Sequence, residues 1–363
     1  MHITMHIHVC ISLYVYKSSI VGGLAMHLIE KLQDIRLGDD VGYSRTLPER
    51  MPIPLGVVMG MPQILSGAMS ERWLAKEAGD IHWRMICNDL GVPSQAILDR
   101  SADRLYASFL RMRIVASGHL GEFGEGDALA VHPALSRFGD RRYFSETTFS
   151  KPEASVRVSM VSAFVARHTD NKGLARSAPL GMERARSPQH HVLPPLGQQY
   201  QQVKARALDG MALVSGPALV LGGHPFHWTE DSLFTLEHEV DPYCDLNGVG
   251  LLYFASYHRI ADIGERAFFN AEAGAEVGQL GRGDDWALAS VTCARDVFYY
   301  GNADAGERLT YVLRSREWLD GQRVATMATL LRNSDGVRIA DLFTIKQLVR
   351  PSSAHAFHWL GKP

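Results

Sequence analysis

Two stretches of this chain share one layout, repeated at an offset of about 180 residues. Each stretch begins with a glycine-bearing loop, continues into a long segment of helical periodicity, and ends with four runs of strand character. The segment Gly126-Asp-Ala-Leu129 aligns with Gly306-Glu-Arg-Leu309. Arg142 and Arg323 are likewise each the first residue of a predicted strand. We interpret this as an internal repeat, so the chain must fold as two similar units.

The periodicity gives approximate bounds for these elements. The first helix is predicted from Ser70 to Asp89, with Leu74, Ala78, Ile81 and Met85 on one stripe, and the second from about Val249 to Phe269. The predicted strands are Arg104–Val115, Ala128–Phe138, Arg142–Phe149 and Val156–Arg167, then Trp286–Tyr300, Glu307–Arg314, Arg323–Arg332 and Val337–Leu348.

One apolar helix and four strands joined by short turns favour an antiparallel sheet that wraps the helix. This is the hot-dog arrangement, and two copies predict an α+β double hot dog. We place the first domain at residues 51–169, a linker at 170–210 and the second domain at 211–363.

Residues 1–50 are predicted to be an N-terminal extension, either partly disordered or a mis-assigned start with translation from about Met26. The linker contains Pro194-Pro195 and the glutamine-rich run 198–202, and it lacks sustained periodicity. Its cations could contact a phosphate of CoA or an acidic carrier protein, although a solvated loop is favoured. They are Arg184, Arg186, Lys204 and Arg206.

Composition narrows the classes of partner. The formal net charge is -2, which gives no global reason to bind nucleic acid or an anionic membrane. Four scattered cysteines show no metal-ligand spacing and predict a reducing, cytoplasmic location. Glu77, Asp80 and His82 do not share one helix face, and His224 and His227 lack a third ligand, so we predict no metal.

The second repeat opens with the polar loop Asp245-Leu-Asn247-Gly-Val-Gly250, which runs directly into a helix. It resembles the active-site loop of hot-dog thioesterases of the 4-hydroxybenzoyl-CoA type, Asp-x-Asp-x-x-Gly followed by a tyrosine, here Tyr257. Asn247 departs from that pattern, because the hydrolases carry their catalytic carboxylate there. An amide can neither attack a thioester nor deprotonate water.

The first repeat carries Gly60-Met-Pro-Gln63-Ile-Leu-Ser-Gly67, continued by Ser70-Glu-Arg-Trp73 and Asp80-Ile-His82-Trp83. These residues resemble bacterial biosynthetic proteins related to the leinamycin-pathway bifunctional acyltransferase/decarboxylase (LnmK-type). The resemblance implies polyketide secondary metabolism, with a malonyl-type acyl group moved from CoA to an acyl carrier protein. The loop from Gly60 to Ala68 contains no tyrosine to carry that acyl group.

The candidate site follows from these motifs. N–H groups at a helix start can stabilise an oxyanion, so Gly250 and Leu251 are predicted donors, with Asn247 binding the substrate. The predicted catalytic set is Asp245, Asn247, Gly250, Leu251 and Tyr257, and the predicted substrate-binding set is Gln63, Gly67, Ala68, Ser70, Tyr253 and His258.

Other functions on the same fold stay open. A thioesterase or a dehydratase is one alternative, and a non-catalytic acyl-binding partner of a synthase is another. We expect no cofactor beyond the CoA or phosphopantetheine of the substrate, and a homodimer is possible.

Overall fold

The computed structural model describes residues 50–167, 174–208, 218–275 and 286–349. Residues 1–49 of the predicted N-terminal extension lie outside the described residues, as do parts of the linker and the side chain of Arg206. The helices of the described residues are α1 (Glu71–Leu90), α2 (Pro195–Leu208), α3 (Phe254–Ala275) and α4 (Trp286–Ala289).

The strands before the second repeat are β1 (Gly56–Val58), β2 (Ile64–Leu65), β3 (Ala68–Met69), β4 (Leu105–Ala116), β5 (Ala128–Phe138), β6 (Arg142–Lys151), β7 (Ala154–Arg167), β8 (Leu174–Arg176), β9 (Gln189–His190), β10 (Leu219–Leu221) and β11 (His224–Phe226). The second repeat contributes β12 (Phe234–Glu239), β13 (Ser290–Tyr299), β14 (Arg308–Trp318), β15 (Arg323–Arg332) and β16 (Val337–Leu348).

One continuous antiparallel sheet runs through both repeats in the order β1-β5-β6-β7-β4-β13-β16-β15-β14-β12. The order is the same on both sides of the central pair: each repeat places its first long strand innermost and its short strand at the edge. The two repeats meet where β4 pairs with β13, and Arg113 lies opposite Asp296 in that register. The predicted α+β double hot dog is therefore confirmed.

The two long helices bury the apolar stripes that the sequence predicts. Leu74, Ala78 and Ile81 of α1 are almost completely buried in the common core. Ser70 caps α1, since its Oγ accepts the N–H of Trp73 at 3.3 Å. Within the described residues no helix is both long and apolar enough to cross a membrane.

A buried ion pair locks the seam between β4 and β13. Asp296 accepts from Nε and Nη2 of Arg111 at 2.8 and 2.7 Å, and from Nε of Arg113 at 2.6 Å. The side chains of Asp296 and Arg111 are fully buried. Nη1 of Arg111 donates to the carbonyl of Leu196 at 2.9 Å, so the same arginine fixes α2 against the seam.

The prediction that the linker lacks periodicity is wrong between Pro195 and Leu208, where the chain forms helix α2. Leu196, Tyr200 and Val203 recur at helical spacing, and Tyr200 and Val203 are buried. Pro195 is the first helical residue, a position that tolerates proline because its missing N–H has no partner in the helix. The polar glutamines between these residues obscured the apolar stripe.

Candidate functional site

A cavity of about 680 Å³ lies where the two repeats meet. Its walls come from α1, from β4 and the end of β7, from the linker helix α2, from the loop before α3 and from the residues after β13. Both domains and the linker are therefore needed to build it. Asn247 and Tyr253 from the loop motif line this cavity, and so does Tyr257.

Asn247 organises the loop with its side-chain oxygen. Oδ1 accepts the N–H groups of Val249 and Leu251, both at 3.0 Å, as in an Asx-type turn. Its amide nitrogen Nδ2 makes no hydrogen bond with any described residue. Because the oxygen is fixed by two donors, the nitrogen is the polar atom that a ligand in the cavity can use.

The two predicted oxyanion donors have partners inside this turn. The N–H of Leu251 donates to Oδ1 of Asn247, and the N–H of Gly250 donates to the Asn247 carbonyl at 2.9 Å. The prediction that these two N–H groups form an oxyanion hole is therefore wrong, because both already donate hydrogen bonds to Asn247 within the loop. Gly250 has a φ of +75°, a conformation that favours glycine, so its contribution is to the shape of the turn.

Asp245 holds the loop against its surroundings and does not line the cavity. Its side chain is fully buried and binds Nη2 of Arg259 at 2.6 Å and Nε2 of His238 at 2.8 Å. Burial alone would raise the pKa of this carboxyl, but the bonds from His238 and Arg259 outweigh it and lower the pKa to about 2. Asp245 is thus a charged anchor, and the predicted catalytic role receives no geometric support.

Burial favours the protonated form of two tyrosines on the cavity wall. Burial raises the pKa of Tyr253 to about 12 and also raises the pKa of Tyr257. The hydroxyl of Tyr257 donates to the carbonyl of Gly301 at 2.7 Å. Tyr253 can donate a hydrogen bond to a ligand, whereas the single hydroxyl proton of Tyr257 is already bound to Gly301. Burial disfavours the phenolate of both residues.

His258 lies behind the cavity wall, which corrects its prediction as a substrate-binding residue. It is buried, and its Nδ1 is 2.5 Å from Oε1 of Glu71. Its Nε2 is 3.1 Å from the hydroxyl of Tyr299, which does line the cavity. Glu71 and His258 come from different repeats, so this chain of contacts positions Tyr299 through the domain interface.

The predicted first-repeat residues lie at the other loop–helix junction and none of them lines the cavity: Gln63, Gly67, Ala68 and Ser70. Gly67 has a φ of +80° and corresponds to Gly250, 183 positions later. Gln63 accepts the N–H of Gly60 at 2.9 Å, and Ser70 is the cap of α1. The repeat duplicates the loop, and of the two copies the one that contains Asn247 lines the cavity.

The junction at the start of α1 contains a cluster of charged side chains, all buried except Asp262, which is half-buried. Arg295 lies 3.2 Å from Glu71, 2.7 Å from Asp262 and 3.8 Å from Glu265, and Lys346 binds Asp262 and Glu265 at 2.7 and 2.8 Å. At the repeat offset of 183, Glu71 and Asp262 correspond to Phe254 and Gly79.

Phe254 and Gly79 line the cavity. At the open junction the ring of Phe254 packs against Gly79, so closely that a Cβ at residue 79 would lie 2.5 Å from the ring. At the other junction both equivalent positions hold carboxylates, which form salt bridges with Arg295. The two clefts are unequal, and the open one carries the Asn247 loop.

Several lining residues escaped the sequence analysis, among them Arg104, Arg176, Tyr299 and Asn302. Asn302 Oδ1 accepts the N–H of Leu252 at 2.8 Å and so supports the loop from the far side. No local motif marks these residues, because the pairing of distant strands brings them together. The described residues contain no group of three or more His, Cys, Asp or Glu side chains that could hold a metal ion.

No protein-family model and no curated protein matches the sequence. Solved structures do resemble the fold. A putative oleoyl thioesterase from Lactobacillus plantarum is 10% identical, with a TM-score of 0.56, over 82% of this chain and 96% of that one. A 12:0-ACP thioesterase from Umbellularia californica is 8% identical, with a TM-score of 0.51, over 81% of this chain and 93% of that one.

At such low identity these likenesses establish the fold. Together with the strand order, they define the class: a double hot-dog protein, here with a cavity where the two repeats meet.

Proposed function

We propose that this protein is an enzyme that acts on acyl thioesters of CoA or of an acyl carrier protein. The observation that carries the proposal is the cavity at the domain seam, with the free amide nitrogen of Asn247 on its wall. A space of about 680 Å³ with aromatic walls suits an acyl group attached to a pantetheine arm. An N–H donor fixed in that space can polarise the thioester carbonyl.

Two reactions are compatible with this site. Hydrolysis is supported by the two proteins of similar structure, which are both described as thioesterases. Hydrolysis by a general base needs a group on the cavity wall that can take a proton from water. Among the described lining residues there is no histidine, and Asp80 is the only carboxylate; it is half exposed and pairs with Arg84 at 2.7 Å.

The lining residues favour a reaction that does not activate water, namely acyl transfer or decarboxylation. Asn247 stands where related hydrolases carry a carboxylate, and an amide adds no negative charge beside a malonyl-type group. Loss of carbon dioxide from such a thioester leaves an enolate, which the N–H of Asn247 and the hydroxyl of Tyr253 can stabilise. The resemblance to the LnmK-type family supports the same reaction, with a carrier protein of polyketide assembly as acceptor. The cytoplasmic location and the homodimer stay predictions.

The products of a simple incubation separate these reactions. Purified protein is mixed with propionyl-CoA or methylmalonyl-CoA, with and without a phosphopantetheinylated carrier protein. Hydrolysis releases free CoA without the carrier protein. Transfer releases CoA only when the carrier protein is present and increases the carrier's mass, while decarboxylation converts methylmalonyl-CoA to propionyl-CoA and releases carbon dioxide.

We expect decarboxylation or transfer to exceed hydrolysis, and we expect Ser108→Trp, which fills the cavity from β4, to abolish all three. His132→Trp, on the exposed face of β5 and outside the cavity, is the matched control and should retain activity. Absence of every product with both substrates, or full activity of Ser108→Trp, would remove the proposal.

A further inference from the structure

Three cationic side chains line the cavity on one side: Arg104 directly before β4, Arg176 on β8 and Lys204 on α2. Arg104 and Arg176 are exposed and Lys204 is half-buried, so this side of the cavity opens to solvent. The three residues come from separate segments of the chain, and only the fold brings them to one opening.

None of the three forms an ion pair with a carboxylate of the described residues. Instead, Arg104 lies over the ring of Tyr106 at 5.2 Å and Lys204 over the ring of Tyr200 at 5.9 Å. Aromatic contacts hold a cation in place while they leave its N–H donors available. Asp80, the one carboxylate among the described residues of the cavity wall, forms a salt bridge with Arg84.

The positive charges also crowd one another. The pKa of Lys204 is lowered by burial and then by the charge of Arg176. The pKa of Arg142 is likewise lowered by burial, then by Arg141 and Arg176. Like charges held together without counter-ions are unfavourable in the empty protein, and an anion placed among them relieves the repulsion.

We propose that Arg104, Arg176 and Lys204 form a phosphate site at the mouth of the cavity. The group that it binds is the phosphate next to pantetheine, which CoA and the arm of a carrier protein share. This inference rests on the proposed function, because it assumes that the thioester end of the same arm reaches Asn247. Two guanidinium groups supply paired N–H donors that match phosphate oxygens, and Lys204 adds a third cation.

The test compares ligands that differ in phosphate. Isothermal titration calorimetry measures the binding of CoA, 4'-phosphopantetheine and pantetheine to the full chain at low salt. We expect CoA and 4'-phosphopantetheine to bind about ten- to hundredfold more tightly than pantetheine, the scale of a charge-assisted contact. Similar affinities for the two phosphorylated ligands would assign the site to the phosphate that they share.

Charge reversal should remove this difference. Arg176→Glu and Lys204→Glu are expected to weaken CoA and 4'-phosphopantetheine by about ten- to hundredfold and to leave pantetheine unchanged. Arg157→Glu is the matched control, because Arg157 is exposed near the start of β7, far from the cavity residues Ala163 and Val165 of that strand. It carries the same charge change and should bind all three ligands as the wild type does.

The binding results distinguish failure of the phosphate site from failure of the proposed function. If pantetheine binds as tightly as CoA, or if both variants weaken all three ligands equally, the phosphate site is wrong while the thioester function stands. If CoA binds only through its 3'-phosphate, so that 4'-phosphopantetheine is no better than pantetheine, the assignment to the shared phosphate is overturned. If none of the three ligands binds, the proposed function itself fails.

Discussion

Replacing Asp296 with alanine should lower the free energy of unfolding by about 3–5 kcal/mol. The carboxylate is the common partner of Arg111 and Arg113 at the seam of the two repeats, and Arg111 is fully buried beside it. Removing one member of such a pair leaves a buried guanidinium without its counter-charge. Urea unfolding followed by circular dichroism measures the change.

Asp320→Ala is the matched control for this substitution. Asp320 also binds an arginine, Arg323, at 2.6 Å, but the two side chains are 42% and 43% exposed. Water replaces an exposed partner readily, so stability should be nearly unchanged. Similar losses for Asp296→Ala and Asp320→Ala would show that the seam pair has no special role.

The effect of Asp296 should also depend on pH. Burial raises the pKa of this carboxyl, but Arg111 and Arg113 lower it by more, so its pKa in the folded protein lies below the usual value. A lowered folded pKa gives stability that is present above the pKa of the unfolded chain and is lost as the pH falls through the folded pKa. The difference between wild type and Asp296→Ala should therefore shrink in acid.

Asn247→Asp should reduce turnover of a carboxylated acyl-CoA by about ten- to hundredfold while the loop stays folded. A carboxylate keeps an acceptor for the N–H groups of Val249 and Leu251, which both bind Oδ1 in the wild type. It loses the N–H donor, and it places a negative charge against the substrate carboxylate. Loss of a hydrogen bond to a charged group is worth about 1.5–3 kcal/mol, which sets the expected factor.

Asn247→Ala separates the two functions of this side chain, because it removes the acceptor together with the donor. We expect it to lose both activity and loop stability, whereas Asn247→Asp loses activity alone. The measurements are carbon dioxide release, free CoA and the midpoint of urea unfolding for the three proteins. Unchanged decarboxylation by Asn247→Asp would exclude Asn247 from the reaction, and increased hydrolysis would show that a carboxylate here activates water.

Much of the fold can be predicted from local sequence patterns. The predicted strands Ala128–Phe138, Arg323–Arg332 and Val337–Leu348 have the bounds found in the structure. Alternating or continuous apolar residues between turn glycines define such strands without tertiary information. The helix predicted from about Val249 instead begins at Phe254, since the Asn247 turn occupies the residues before it.

The site was less predictable because it depends on contacts between distant segments. The motif singles out Asn247, Tyr253 and Tyr257, and the structure places all three on the cavity wall. Sequence order could not show that Asp245 is anchored by Arg259. It also could not show which junction is open, since the choice depends on the buried charges around Arg295. Whether a loop N–H is free or already bonded is likewise decided by three-dimensional geometry, as the Gly250 turn shows.

The difference between the two junctions determines how many ligands one chain can bind. A homodimer of single hot-dog subunits has two identical junctions by symmetry, and any change in one is repeated in the other. Joining the repeats in one chain removes that constraint, and here salt bridges around Arg295 occupy one junction. Ligand saturation should therefore be reached at one equivalent per chain, half the number that the repeats alone would suggest.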